Sequence, residues 1–120
     1  SSMPPPDDYS ALVDVRHYCR LILTATGDLG GPWSDSDVLL QSAVERWRTI
    51  IGEAVKRLTM GYRELHPEVP WRGWAGLRDV LAHAYDEINP EELWRISTSD
   101  VRRLLDAVES LLGEFPDAPL

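Results

Sequence analysis

Arg78, Asp79, His83 and Tyr85 stand close together in the stretch GLRDVLAHAYDEI, residues 76–88. A histidine titrates near neutral pH and can take or give a proton during catalysis. An arginine stays charged and forks onto phosphate, stabilising the charge that builds on its oxygens. Asp79, four residues before His83, shares its side of a helix and could orient the imidazole or raise its pKa. Cleavage of RNA needs little more, because the 2′-hydroxyl is a built-in nucleophile. One group must take its proton and one cation must meet the phosphoryl oxygens.

On a helical wheel, Trp74, Leu77, Leu81 and Ile88 fall within about 40° of one direction and predict the core face. Arg78 and Tyr85 sit just off its edge, about 20° apart, then come Ala75 and Ala82, then Asp79, Asp86 and His83. Small residues flanked in this way predict a shallow groove, open to substrate or to a second copy of the same helix. Within one helix Arg78 and His83 are about 140° apart, so a shared catalytic role calls for two helices meeting across a dimer cleft. Spacing alone favours the plainer reading, a solvated or interface face of an amphipathic helix.

The elements that must position this helix are all helical in pattern. Leu12, Val15, Cys19, Ile22 and Leu23 recur at three and four, predicting a helix from about Tyr9 to Thr26 that ends at Gly27, Gly30, Gly31 and Pro32. A second helix is expected from Ser34 or Asp35 to about Met60 or somewhat beyond, carrying Val44, Trp47, Ile51, Ala54 and Leu58 on a broad apolar face. The motif helix should start between Trp71 and Trp74 and reach Glu87 or Ile88. Asn89–Pro90 with Glu91 and Glu92 marks a restart, with Asn as cap, Pro in the first turn and acids where the dipole favours them. A short helix with Leu93, Trp94 and Ile96 is expected to break at Ser97–Thr98–Ser99. Val101, Leu104, Leu105, Val108, Leu111 and Leu112 then give the cleanest amphipathic helix, ending at Gly113. The expected fold is all-α, an antiparallel four-helix up-down bundle with a short additional helix. Residues 9–113 would form the single domain, with a loose arm at 1–8, its Ser1–Ser2 an expression scar, and a tail at 114–120.

The 120 residues suit one domain, and 43% hydrophobic content separates the chain from disordered sequences. A single cysteine, Cys19, excludes an internal disulfide, has the look of a packing residue, and fits a reducing, cytoplasmic setting. His17, His66 and His83 lie in separate segments without ligand spacing, so neither metal nor cofactor is expected. No run approaches the ~20 apolar residues of a membrane span, and the opening residues lack the pattern of a signal peptide.

The net charge of −8 argues against a strongly basic nucleic-acid binder. Its distribution is uneven: Arg46, Arg48, Lys56, Arg57, Arg63, Arg72 and Arg78 face only Glu53, Glu64 and Glu68 in the middle of the chain, a local balance of +4. Arg46, Lys56, Arg57 and Arg72 are the candidates for RNA-backbone contacts, and an acidic partner subunit would suit them equally. Glu53 is a candidate supporting carboxylate or a surface partner for Arg57 four residues on. Trp71, Trp74 and Trp94, each at a helix end beside apolar neighbours, read as core or interface anchors rather than base-stacking platforms.

The string from Gly76 to Ile88 resembles the signature of HEPN-domain proteins, an Arg, four residues, then a His. Tyr85, two after the His, narrows the likeness to the HepT-like branch. IIGEAVKRL at 50–58, the His66–Arg72 lead-in and Trp94 after Asn89–Pro90 resemble further blocks of that family, and the likeness covers roughly residues 10–113. It implies a HEPN-like bundle and a metal-independent endoribonuclease, the toxin of a type VII-like toxin–antitoxin system, acting on tRNA or mRNA. It further implies a homodimer with Arg78 and His83 as the catalytic pair at a shared cleft and Asp79 in support. Tyr85 would be the hydroxyl adenylylated by a cognate MntA-like nucleotidyltransferase antitoxin. An anionic adenylate there would occupy the phosphate site beside Arg78. The rival readings are a non-catalytic helical interaction protein and an accessory subunit that binds phosphate for a nucleotidyltransferase without cutting. The absence of a glycine-rich phosphate loop weakens the second.

Overall fold

The computed structural model describes residues 6–76 and 89–115, and these fold as helices and connecting turns with no strand among them. Helix α1 spans Pro6–Gly27. It begins earlier than the apolar stripe indicates, because a proline is tolerated in a first turn and Asp7 and Asp8 suit the positive end of the dipole. Leu12, Val15, Cys19 and Ile22 are fully buried. The helix ends as expected in the glycine-rich turn, where Gly30 adopts φ 70°, a conformation costly for residues with a Cβ.

Helix α2 spans Val38–Arg57, with Asp37 at its N-cap rather than Ser34 or Asp35. The Asp37 carboxylate turns back to accept the Ser34 backbone N–H at 2.7 Å, so it orders the preceding turn. The long helix expected to reach Met60 is broken: Leu58 is extended, with ψ 138°. Thr59 then caps a new helix, α3, Met60–Leu65, accepting the Tyr62 N–H at 3.2 Å. The cause lies 51 residues upstream. The fully buried Asp8 accepts the Thr59 N–H at 2.8 Å and its hydroxyl at 3.0 Å, a clamp that holds the break.

A fourth helix, α4, is described over residues 71–76. Its entry is fixed by the Trp71 indole, which donates to the His66 carbonyl at 2.9 Å. The expected end of the motif helix lies outside the described residues. Helix α5, Pro90–Arg95, opens as predicted, with the Asn89 side chain accepting the Glu92 N–H at 2.8 Å. The expected break at Ser97–Thr98–Ser99 is absent. The chain instead passes through a π-helical turn, Ile96–Asp100, straight into α6, Val101–Gly113. The wider turn takes up these residues without freeing backbone groups that would need caps, and the Thr98 hydroxyl donates back to the Trp94 carbonyl at 2.8 Å.

Helix α1 is the axis of the bundle. Its start meets the end of α2 through Asp8 and Thr59, and the end of α6 region through Tyr9 and Phe115, whose rings are 5.2 Å apart. Both neighbours are therefore antiparallel to it. Val44, Ile51 and Val55 of α2 and Val101, Leu104 and Val108 of α6 complete the core, burial worth roughly 1.5–3 kcal/mol per large side chain.

Candidate functional site

Arg78, Asp79, His83 and Tyr85 lie outside the described residues; the elements around them are described. Helix α4, which leads into the motif, meets α2 backbone to backbone. A Cβ placed on Gly52 would stand 2.8 Å from the Trp74 carbonyl oxygen, so only glycine permits this approach. Trp71 and Trp74, at 4% and 6% exposure, are core anchors as their positions suggested. Trp94 is half-buried and meets Trp33 edge-on at 5.2 Å, and the Trp33 indole donates to the Pro90 carbonyl at 3.4 Å. The chain is thus pinned on both sides of residues 77–88, at Gly52 before them and at Trp33 after them.

The described cations of the basic middle divide between solvent, polar partners and the core. Arg46, Lys56 and Arg72 are exposed and make no ion pair among the described residues. Arg57 is drawn to α1, donating to the Asp14 carboxylate at 2.6 Å rather than serving Glu53. Glu53 lies on the exposed side of α2 and is engaged in an interaction. Arg63 spends one donor on the Lys56 carbonyl at 3.0 Å. Arg48 is 3% exposed and donates to the Ser97 hydroxyl at 2.6 Å. Counting charges along the chain hid this residue. Its wheel position, within about 60° of Val44, Ile51 and Val55, was the signal that places it on the core side.

A cavity of about 440 Å³ opens between the approach to α4 and the α5–α6 rod, lined by Trp74, Ile96 and Leu104 and by Arg95, Asp100 and Arg103. Asp100 holds both arginines, at 3.3 and 3.1 Å, and Glu92 stands 3.5 Å from Arg95, so two carboxylates already meet the two charges. Among the described residues no three His, Cys, Asp or Glu side chains converge as a metal site would require. His66 lies 3.5 Å from Glu68 and beside the Tyr62 ring. Cys19 is fully buried, and burial, aided by the charge of Glu109, pushes its thiol up to about 12, as suits a residue that packs. No described helix is long and apolar enough to cross a membrane.

A family model described as Ribonuclease HepT-like matches residues 15–111. The chain is 41% identical over 100 residues to the "Probable ribonuclease HepT" of Thermococcus cleftensis, covering 83% of this chain and 91% of that protein. It is 40% identical over 110 residues to a "Putative RNase" of Caldanaerobacter subterraneus, covering 92% and 96%. A "Putative RNase" of Methanocaldococcus jannaschii is 34% identical over 113 residues, covering 94% and 93%. No solved structure matches the chain significantly. With its helical architecture, its Arg78–His83–Tyr85 string and a family match running from α1 into α6, the chain belongs to the HepT-like ribonuclease family of the HEPN superfamily.

Proposed function

We propose that this protein is a metal-independent endoribonuclease, the toxin of a toxin–antitoxin pair, with Arg78 and His83 as its catalytic pair. The carrying observation is the Arg–x4–His–x–Tyr string within a chain that the family model matches over residues 15–111. His83 takes the proton of a ribose 2′-hydroxyl, and the 2′-oxygen attacks the adjacent phosphorus. The bond to the 5′-oxygen breaks, and that oxygen takes the proton back from the imidazolium, directly or through a water, and leaves as a 5′-hydroxyl. A 2′,3′-cyclic phosphate remains on the other fragment. Arg78 holds the phosphoryl oxygens as charge builds on them, and Asp79 supports the imidazole.

Because Arg78 and His83 fall about 140° apart on a helical wheel, the working unit in this reading is a homodimer in which two copies of the motif share a cleft. Of the four candidate backbone contacts, Arg46, Lys56 and Arg72 are exposed and outside any ion pair among the described residues. Arg57, tied to Asp14, contributes less than its charge suggests. Tyr85 is the site at which a cognate MntA-like nucleotidyltransferase adds AMP and silences the enzyme. The test is cleavage of a mixed tRNA and messenger pool in EDTA. Wild type should cut and leave cyclic-phosphate ends, and Arg78→Ala and His83→Ala should each abolish cutting with the fold retained. Full activity in either variant overturns the assignment.

The burial of Arg48 and the net charge of −8 favour one other reading, a helical partner subunit that binds the nucleotidyltransferase without cutting RNA. An unmodified dimer inactive on every RNA would establish it.

A further inference from the structure

The cavity between the approach to α4 and the α5–α6 rod has two kinds of lining. Its buried part is apolar, with Trp74 on one side and Ile96 and Leu104 on the other. Its more exposed part is charged, with Glu68 on the first side and Arg95, Asp100 and Arg103 on the second. An apolar hollow with a few convergent polar groups is the usual make-up of a small-ligand site. At about 440 Å³ it has room for one ring system with its sugar rather than for a length of peptide.

The charges decide what kind of ring. Counting Glu92 beside Arg95, three carboxylates stand against two guanidiniums, so an anionic group finds no net attraction here. A purely apolar occupant would take the same polar groups out of water without giving them partners. A neutral ring bearing both donors and acceptors answers both objections. Arg103 spends one nitrogen on Asp100 at 3.1 Å and its side chain is 78% exposed, so most of its five donors stay available. Glu68 is exposed and meets His66 through one oxygen at 3.5 Å, which leaves its other oxygen as an acceptor.

We propose that this cavity binds one guanine base of RNA, with Glu68 accepting from the base, Arg103 donating to it, and Trp74, Ile96 and Leu104 forming the apolar bed. Guanine alone among the four bases carries two adjacent donors, N1–H and the 2-amino group, on its Watson–Crick edge, the pair a carboxylate accepts. Its O6 and N7 are the acceptors an arginine fork prefers. Adenine turns the lone pair of N1 toward the carboxylate and is repelled. The recognition chemistry stands on the cavity itself, and the nuclease reading supplies only RNA as the source of the base. In the sequence Trp74 stands four residues before Arg78, so the site would read a base at the approach to the motif.

The experiment titrates the ¹⁵N-labelled protein with the 5′-monophosphates of guanosine, adenosine, cytidine and uridine, whose common phosphate cancels in the comparison. The guanosine nucleotide should shift the Trp74 indole and the amides of residues 96–104 saturably, with a Kd on the order of 1 mM. The other three should bind at least about fivefold more weakly. Glu68→Gln should bring guanosine and adenosine within about twofold of each other, and Arg103→Ala should weaken guanosine about fivefold. Ala107→Leu, which puts a larger side chain into the cavity lining, should abolish the shifts with the urea midpoint retained. If that variant does not fold, the exposed Glu68 and Arg103 substitutions decide. No saturable shift up to about 10 mM, or equal binding of all four nucleotides, overturns the proposal. Shifts at the cavity produced only by a protein partner overturn it in favour of a protein anchor. In a mixed RNA pool, the ends cut by wild type should share guanosine at one fixed position, and those cut by Glu68→Gln should lose it. Cutting by wild type without that preference overturns RNA as the source of the base. Guanosine binding by a wild type that cuts no RNA removes the nuclease reading and leaves the guanine site standing.

Discussion

Substitution of Gly52 by alanine tests whether the close approach of α4 to α2 is as tight as the structure has it. The added Cβ would meet the Trp74 carbonyl oxygen at 2.8 Å and the Ala75 carbonyl oxygen at 3.9 Å. Ordinary contacts begin near 3.4 Å, so the helices must separate by roughly half an ångström, and forced overpacking of this kind costs about 1–3 kcal/mol. Backbone cannot rotate away as a side chain tip would. Against this stands the helix preference of alanine over glycine, about 1 kcal/mol. Gly61 of α3 supplies the control, since its added Cβ meets nothing within 4 Å and only the propensity gain applies. Urea unfolding should therefore find Gly61→Ala stabilised by about 0.5–1 kcal/mol and Gly52→Ala destabilised by up to about 2 kcal/mol. Because the shift falls on the approach to Arg78, RNA cleavage by Gly52→Ala should drop while that by Gly61→Ala holds. Equal stabilisation of the two variants would refute the backbone contact.

Asp8→Ala should lose about 1.5–3 kcal/mol in urea unfolding, because it leaves the Thr59 N–H and hydroxyl without their charged acceptor; an unchanged midpoint would show that the clamp does not hold the helix break. Tyr62→Phe should be neutral or stabilising, since the buried hydroxyl has no hydrogen-bond partner among the described residues. Burial, with Glu114, Asp8 and Glu68 nearby, pushes the Tyr62 hydroxyl up to about 12. The folded state thus keeps a proton that the unfolded chain releases near pH 10, and stability falls as pH rises from about 10 to 12. A pH series on Tyr62→Phe should show a shallower alkaline decline, and identical declines would contradict that assignment. Tyr85→Phe should keep RNA cleavage yet resist silencing by the partner enzyme, and a mass increase of one AMP on that variant would rule out Tyr85 as acceptor.

How much of this was legible in the sequence depended on the distance over which each cause acts. The α6 stripe from Val101 to Leu112 and the Asn89 cap are set by neighbours within a few residues, and both were readable. The break at Thr59 was not, because the group that stabilises it, Asp8, belongs to another helix. The Ser97–Thr98–Ser99 run carries the composition of a cap, yet Ser97 is claimed by Arg48 from α2, and the helix continues. Charge counting failed for the same reason, since a tally along the chain cannot tell Arg48 in the core from Arg46 in water. The motif residues were found as a pattern of types and spacing, and they lie within the residues 15–111 that the family model matches.

The burial of Cys19 has a practical consequence for following this molecule in time. With one cysteine in the sequence, fully buried and with its thiol pushed up to about 12, the folded chain presents almost no thiolate to a labelling reagent. Modification must wait until α1 parts from the helices around it. The rate at which a maleimide or disulfide reagent consumes the protein is therefore a clock for opening of the central helix. It needs no engineered probe, and RNA, antitoxin or a substitution at the α2–α4 contact can each be read by how far they slow or quicken it.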